Sequence, residues 1–327
     1  MINFGYTRVS TLKAAVEAFS KDSSVQWIAG GTNLVDLMKK GVTTPEKLID
    51  INKLPLRDIR KEGNKLHIGA LALNSDVAEN ELVRREQPLL SLALQAGASQ
   101  QIRNMATVGG NMMQRTRCPY FYNPDMPCNK REPGTGCGAL KGFNRMHAIF
   151  GTSEKCIAVH PSDMSIALVA LDATVLVTGP KGDRRIPFQS FHRLPGDTPQ
   201  KDNTLERGEL ILGIDIPDNP YKNHVHYLKV RDRSSYAFAL VSVGAAVNLE
   251  GNTIKDVRLG MGGVAHKPWR LIEAEIFLKG KTATEATFRQ AAELAMKGAK
   301  GYGYNNFKLK LAPNTLVEAL KIATGKA

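Results

Sequence analysis

Two glycine pairs set the terms for any fold of this sequence. Gly30-Gly31 follows the apolar run Val25-Gln26-Trp27-Ile28-Ala29 and precedes Thr32-Asn33, after which Leu34, Leu37 and Met38 recur at helical spacing. Gly109-Gly110 lies inside Thr107-Val108-Gly109-Gly110-Asn111, which adds a hydroxyl and an amide. Paired glycines let main-chain N–H groups approach an anion closely, and a helix N-terminus adds a favourable dipole. Two such turns in one chain can clamp the two phosphates of a dinucleotide. Neither is Gly-x-Gly-x-x-Gly or Gly-x-x-x-x-Gly-Lys-Ser/Thr, so a Rossmann domain and a nucleotide triphosphatase are not indicated. Taken alone, a Gly-Gly turn is more often only a tight turn.

Around these turns the pattern predicts mixed α and β structure. Ser10 can cap a helix through Leu12, Ala15, Val16 and Phe19, and strands are expected at Val25–Ala29, Lys47–Ile51 and Lys65–Gly69. Ser75 to Asn104 turns helical, broken by Pro88 and Gly97, with Asn74-Ser75 as a cap. A helix over Asp163–Leu171 precedes a hairpin, Thr174–Val177 and Arg185–Phe188, and then a strand, Glu209–Ile216, closed by Pro217. Residues 218–223 read as a linker. Beyond it, Val225–Val230, Ala237–Leu249 and Lys255–Gly262 read as an antiparallel sheet turned at Glu250-Gly251-Asn252. Helices are expected at Glu273–Leu278, Thr284–Lys297 and Asn314–Thr324. The fold class is α+β.

Charge and hydropathy narrow the function classes. The 327 residues carry 44 Lys and Arg against 31 Asp and Glu, a formal net charge of +13. The basic residues are scattered, and there is no helix-turn-helix, zinc-finger or ribonucleoprotein motif, so nucleic-acid binding is not expected. A basic surface that docks on an acidic partner fits better. No apolar run approaches the roughly 18 residues of a membrane span. No signal peptide is expected either, which leaves a cytoplasmic location or a periplasmic one reached by co-export with a partner.

The cysteines are the second anomaly. Cys118, Cys128, Cys137 and Cys156 fall within 39 residues, and the rest of the chain has none. They occupy a stretch, 112–155, that is rich in Pro, Gly and Asn and shows no periodicity; so long an irregular segment tends to be functional. Four thiolates spaced x9, x8 and x18 can close around an iron–sulfur cubane, whose ligands tolerate irregular spacing. Zinc sites usually contain a Cys-x2–4-Cys pair, absent here; free or disulfide-bonded thiols are the third possibility. Residues 112–160 hold seven basic side chains against three acidic ones, which offsets a cluster's negative charge. The six histidines from His147 to His266 show no metal-ligand spacing, His224-x-His226 reads as surface, and Trp27 reads as packing. Ser234-Ser235-Tyr236 either reaches a flavin ring or is a plain turn.

Read together, these pieces resemble a family. Ala29-Gly30-Gly31-Thr32-Asn33-Leu34 and Thr107-Val108-Gly109-Gly110-Asn111 resemble the two FAD-binding motifs of the molybdenum hydroxylase flavin subunits, as in xanthine dehydrogenase and carbon monoxide dehydrogenase. His160-Pro161-Ser162-Asp163 resembles the family's Pro-x-x-Asp segment. Glu209–Pro217, with Leu212, resembles one of its strands, and Tyr227-Leu228-Lys229 resembles its aromatic-x-Lys element. The cysteine insert resembles that of the FAD subunit of bacterial periplasmic aldehyde oxidoreductases, where an insert carries a 4Fe-4S cluster.

The resemblance implies a two-part FAD-binding domain of the vanillyl-alcohol oxidase type. It places a first part at 1–56, a second at 57–220 with an iron–sulfur insert at about 112–156, and a C-terminal α+β domain at 221–327. It implies FAD held by Ala29, Gly30, Gly31, Thr32, Asn33, Leu34, Thr107, Gly109, Gly110, Asn111, Asp163, Leu212 and Lys229. Asp163 would bond a ribose or ribityl hydroxyl, and Lys229 would place positive charge near the flavin. Cys118, Cys128, Cys137 and Cys156 would hold the cluster. It implies partners as well: a molybdopterin-containing large subunit and a 2Fe-2S small subunit in a heterotrimer, with an external electron acceptor and no membrane insertion. The rivals are an iron–sulfur sensor or nucleic-acid-binding protein without flavin, and a standalone flavin oxidase.

Overall fold

The computed structural model describes residues 1–20 and 24–326. Twelve strands form three sheets among the described residues. Strands β1 (Gly5–Arg8), β2 (Val25–Ile28) and β3 (Lys47–Asp50) make a small parallel sheet in the order β1-β3-β2. Its core is Val9, Ala15, Val25, Ile49, Ile51 and Leu54, covered by a helix at Leu12–Ser20. Strands β4 (Ile59–Glu62), β5 (Lys65–Gly69), β6 (Thr174–Gly179), β7 (Gly182–Pro187) and β8 (Leu210–Pro217) form an antiparallel sheet ordered β4-β5-β8-β6-β7. Strands β9 (His224–Val230), β10 (Val241–Glu250), β11 (Thr253–Gly262) and β12 (Trp269–Arg270) form a second antiparallel sheet, ordered β12-β11-β10-β9.

The helix Asp163–Ala170 explains how these layers hold together. It is apolar all round, and every residue from Met164 to Ala170 is buried, as expected of a helix covered on both faces. Ile166, Leu168 and Val169 share one core with the five-stranded sheet and with Tyr227 and Ala246 of the four-stranded sheet. Close seating on the second sheet depends on missing side chains. A Cβ on Gly260 would lie 2.6 Å from the Ile166 carbonyl oxygen, and one on Gly262 would lie 2.8 Å from the Ile166 side chain. Ser162 caps the helix, its Oγ accepting from Ser165 N at 3.0 Å, which fixes where Asp163 emerges.

Several elements differ from the sequence expectation, each for a packing reason. The segment expected as one broken helical stretch is four short helices, Asn74–Glu79, Glu81–Glu86, Pro88–Ala96 and Gln100–Arg103, stopped by Asn80, Gln87 and Gly97. Residues 218–223 are no free linker. Tyr221 is buried there and its hydroxyl bonds the Asp256 carboxylate. The strand expected from Ala237 begins only at Val241, where it meets Val230; residues 231–240 form a loop instead. The last helix begins at Lys308, ahead of Pro313, which sits inside it.

Candidate functional site

A cleft of about 600 Å³ lies between the first glycine turn, the helices Pro88–Ala96 and Gln100–Arg103, the start of the helix Asp163–Ala170 and Lys229 of β9, within the usual range for small-molecule sites. Its apolar walls come from Ala93, Leu94, Ile102 and Met164, and its polar groups from Thr32, Asn33, Asp36, Asn74, Asn111 and Arg117. The loop that replaces the expected start of β10 supplies Arg233, Tyr236, Ala237 and Phe238 at one end. Tyr236 (59% exposed) and Phe238 (44% exposed) stand open to solvent there.

The two glycine turns do different work. In the first, Gly31 has φ +71°, a conformation that requires glycine. The amides of Thr32, Asn33 and Leu34 have no main-chain acceptor among the described residues, so they remain free for an anion. In the second turn the amides are already taken. Val108 N donates to Ala72 O, Gly109 N to Ala70 O, Gly110 N to the Thr107 hydroxyl and Asn111 N to Thr107 O. The expected main-chain phosphate cradle is therefore offered by the first turn alone. The second contributes the bare surface of Gly110 and the Asn111 side chain.

Of the residues expected to hold a cofactor, Thr32, Asn33, Gly110, Asn111, Asp163 and Lys229 line the cleft. Ala29, Gly30, Gly31, Leu34, Thr107, Gly109 and Leu212 do not line it and act behind it. A Cβ on Gly30 would lie 1.8 Å from the Met105 carbonyl oxygen, so Gly30 is small to let the two turn-bearing segments touch. Gly109 abuts Ala70, and Leu212 accepts the Ala70 amide at 2.9 Å. Ala29 O accepts from Asn52 Nδ2 at 3.0 Å, and Thr107 is the helix cap. Trp27 packs on Phe19 at 4.2 Å between ring centroids.

Asp163 and Lys229 are partners of each other. Lys229 Nζ lies 2.7 Å from Asp163 Oδ2 and also donates to Ala96 O, while Tyr227 Oη donates to Asp163 Oδ1 at 2.8 Å. The expected free positive charge of Lys229 is thus largely neutralised. Of Ser234-Ser235-Tyr236, open in sequence between a flavin contact and a plain turn, Tyr236 lines the cleft; Asn74 and Arg117 were missed as cleft residues, because nothing local marks them.

Three buried polar atoms around the cleft have no partner: Asn33 Nδ2, Asn74 Oδ1 and Arg117 Nε. Groups left so in a folded interior cost stability unless a ligand satisfies them. Free amides at one turn, orphaned donors and acceptors, apolar walls and a cleft of this size fit FAD.

The cysteine insert forms a second site beside the first. Cys118 precedes the short helix Pro119–Tyr122, Cys128 and Cys137 face each other across an antiparallel bridge, and Cys156 pairs with Ser153. All four line one small cavity together with Lys130, His147 and Lys155. Four observations constrain what they hold. The thiols are free, which removes the disulfide alternative. The one group of three ligand atoms within 4.8 Å of one another among the described residues is Glu62, His67 and Asp215, so no three of the four sulfurs approach that closely. Burial pushes the Cys118 thiol up to about 12 and the Cys156 thiol up to about 11. The fully buried Lys130 is tied to the Asp202 carboxylate and to Pro199 O, placing a cation beside the thiols. His147, read from sequence as bland, has Nε2 3.1 Å from Cys118 Sγ.

The Glu62, His67 and Asp215 triad is a salt-bridge network. Lys65 and Arg185 already occupy Asp215 at 2.6 and 2.8 Å.

The two cavities are neighbours along the chain. Arg117 lines the cleft and Cys118 lines the thiol cavity. Arg115 ties them further: its amide donates to Asn33 Oδ1 at 2.9 Å and its guanidinium to Asp202 Oδ2 at 2.8 Å.

Residues 2–219 match the family described as FAD binding domain in molybdopterin dehydrogenase, and residues 226–323 match the CO dehydrogenase flavoprotein C-terminal domain. The chain belongs to this family of FAD-binding subunits. It is 47% identical over 327 residues to the aldehyde oxidoreductase FAD-binding subunit PaoB of Escherichia coli, covering 99% of both chains. The glyceraldehyde dehydrogenase medium chain of Sulfolobus acidocaldarius is 28% identical over 88% of this chain and 85% of its own length. Among solved structures, the carbon monoxide dehydrogenase of Hydrogenophaga pseudoflava superposes with a TM-score of 0.78 at 25% identity, covering 100% of both chains. FAD is the family's cofactor and the fold is α+β. No helix among the described residues is long and apolar enough to cross a membrane.

Proposed function

We propose that this chain is the flavin- and cluster-bearing electron-transfer subunit of a molybdenum aldehyde oxidoreductase. It works in a heterotrimer with a molybdopterin-containing large subunit and a 2Fe-2S small subunit. Electrons from aldehyde oxidation in the large subunit reach this chain through the small subunit and leave to an external acceptor. The large subunit holds the aldehyde pocket.

The observation that carries this reading is the meeting of two cofactor cavities at one peptide link, Arg117-Cys118. FAD supplies redox chemistry that no side chain here can supply. The protein's part is to hold and tune. Thr32, Asn33 and their free amides, with the bare surface of Gly110, receive the pyrophosphate. Asn74 and Asn111 take hydroxyl and amide groups. The Asp163–Lys229 pair and Tyr227 form a fixed polar wall, and Tyr236 and Phe238 shelter the open end.

The four thiols hold a 4Fe-4S cluster. Free cysteines around a shared cavity, flanked by Lys130, Lys155 and His147, support it. The alternative of an iron–sulfur sensor without flavin is disfavoured by the family and by the orphaned polar atoms of the cleft.

The test compares the assembled complex with this chain alone. The complex should oxidise aldehydes. The lone chain should oxidise none with any dye acceptor, yet show a flavin band that dithionite bleaches and release FAD on heating. Aldehyde turnover by the lone chain would overturn the relay role.

A further inference from the structure

His147 and Lys308 are two buried residues that binding of FAD does not use, and His147 lines the thiol cavity. His147 lies in the insert, with Nε2 3.1 Å from Cys118 Sγ. Its other ring nitrogen, Nδ1, is buried without a partner. Lys308 opens the last helix, on the far side of the C-terminal sheet in sequence, and is fully buried. Its ammonium donates to His147 O at 3.0 Å and to Gly263 O at 2.7 Å, both neutral carbonyls.

We infer that His147 and Lys308 together raise the reduction potential of the cluster held by the four cysteines: His147 donates its Nε2 proton to the Cys118 sulfur, and Lys308 fixes the His147 main chain for that bond. The inference rests on the cluster reading above.

The proton assignment follows from chemistry. A thiolate bound to iron has no proton to give, so the 3.1 Å contact is a hydrogen bond only if Nε2 carries the hydrogen. The unpartnered Nδ1 then keeps the lone pair of a neutral ring. A hydrogen bond to a ligand sulfur draws charge from it and favours the reduced cluster.

The placing of the ring is over-determined. His147 N donates to Asn144 O at 3.0 Å, and Asn144 is itself anchored on Tyr302 O at 2.8 Å. Asn305 Nδ2 reaches Ala148 O at 3.0 Å. The segment 302–308 thus grips the insert on both sides of His147, with Lys308 holding the His147 and Gly263 carbonyls in place.

The experiment uses the assembled complex with this chain as parent, His147→Phe or Lys308→Met. Iron and acid-labile sulfide are measured first, then the midpoint potential of the paramagnetic signal that Cys128→Ser removes. In His147→Phe the iron is retained and the potential falls, shifting the oxidised-to-reduced ratio at fixed potential by about tenfold, or about 59 mV for a one-electron couple. Lys308→Met shifts it in the same direction by less, and His147→Gln, which keeps an N–H near the sulfur, restores most of the parent value. Unchanged potentials in iron-replete His147→Phe and Lys308→Met would overturn the inference. If His147→Phe does not hold its iron, the potential of Lys308→Met decides alone. A parent without iron at the thiol site fails the cluster reading itself, which is a separate result.

Discussion

Lys229 Nζ stands 2.7 Å from Asp163 Oδ2, with the side chains 3% and 9% exposed, in the wall of the FAD cleft. The carboxylate also receives the Tyr227 hydroxyl at 2.8 Å. Two residues that local sequence assigns to separate cofactor contacts are thus one buried polar unit, joining the helix Asp163–Ala170 to strand β9. Removing one member leaves the other charged and buried, which typically costs about 3–5 kcal/mol. Lys229→Met should therefore lower the urea midpoint of the apoprotein as well as weaken FAD retention. A variant that loses FAD at full stability would show that Lys229 serves the flavin alone.

The glycines separate fold from ligand. At Gly30 an added Cβ meets the Met105 carbonyl oxygen at 1.8 Å, so Gly30→Ala must push two backbone segments apart and should destabilise the protein by roughly 1–3 kcal/mol or more. At Gly110 the nearest obstacle is the Thr107 hydroxyl at 3.0 Å and the remaining space is cleft. Gly110→Val should leave a folded protein with little flavin. Thermal unfolding beside flavin content of the two variants reads this contrast directly.

Acid should loosen the cysteine insert first. The Lys130 ammonium and Arg115 guanidinium hold the Asp202 carboxyl well below the usual carboxylate range, against the opposing effect of burial. A carboxyl depressed in the folded state contributes stability that is full above its unfolded value, about 3.9, and is lost as pH falls through that value and below. Asp202→Asn should be less stable than the parent at pH 7 by roughly 3 kcal/mol, and the gap should shrink as pH drops below about 4. Urea midpoints from pH 7 to pH 3 test the sign; a gap that widens on acidification would contradict it.

What the sequence made legible was what local pattern encodes. The apolar run before Gly30, the thiol cluster and the strand periodicities of the C-terminal sheet each depend on neighbours within a few residues. The alternation around Glu250-Gly251-Asn252 even gave the β10–β11 hairpin. What stayed hidden depends on partners far along the chain. Gly30 is small because of Met105, and Lys229 is neutral in sum because of Asp163. Ala237–Leu240 is apolar enough for a strand, yet β10 starts at Val241 because pairing with β9 ends at Val230. Arg117 and Asn74 look unremarkable in sequence and become cleft residues only when segments far apart in the chain meet. His147 shows no ligand spacing, because its contact with Cys118 is closed by the irregular path of the insert.

The central claim is that one chain carries both a flavin and a four-thiol iron–sulfur cluster. Flavin, iron, sulfide and zinc contents of the anaerobically purified complex, set against the same complex with Cys128→Ser, test it most directly. The account predicts one FAD per chain in the parent and about four more irons and four more sulfides than in the variant, as a cubane requires. Equal iron in the two complexes, with stoichiometric zinc lost on substitution, would contradict it.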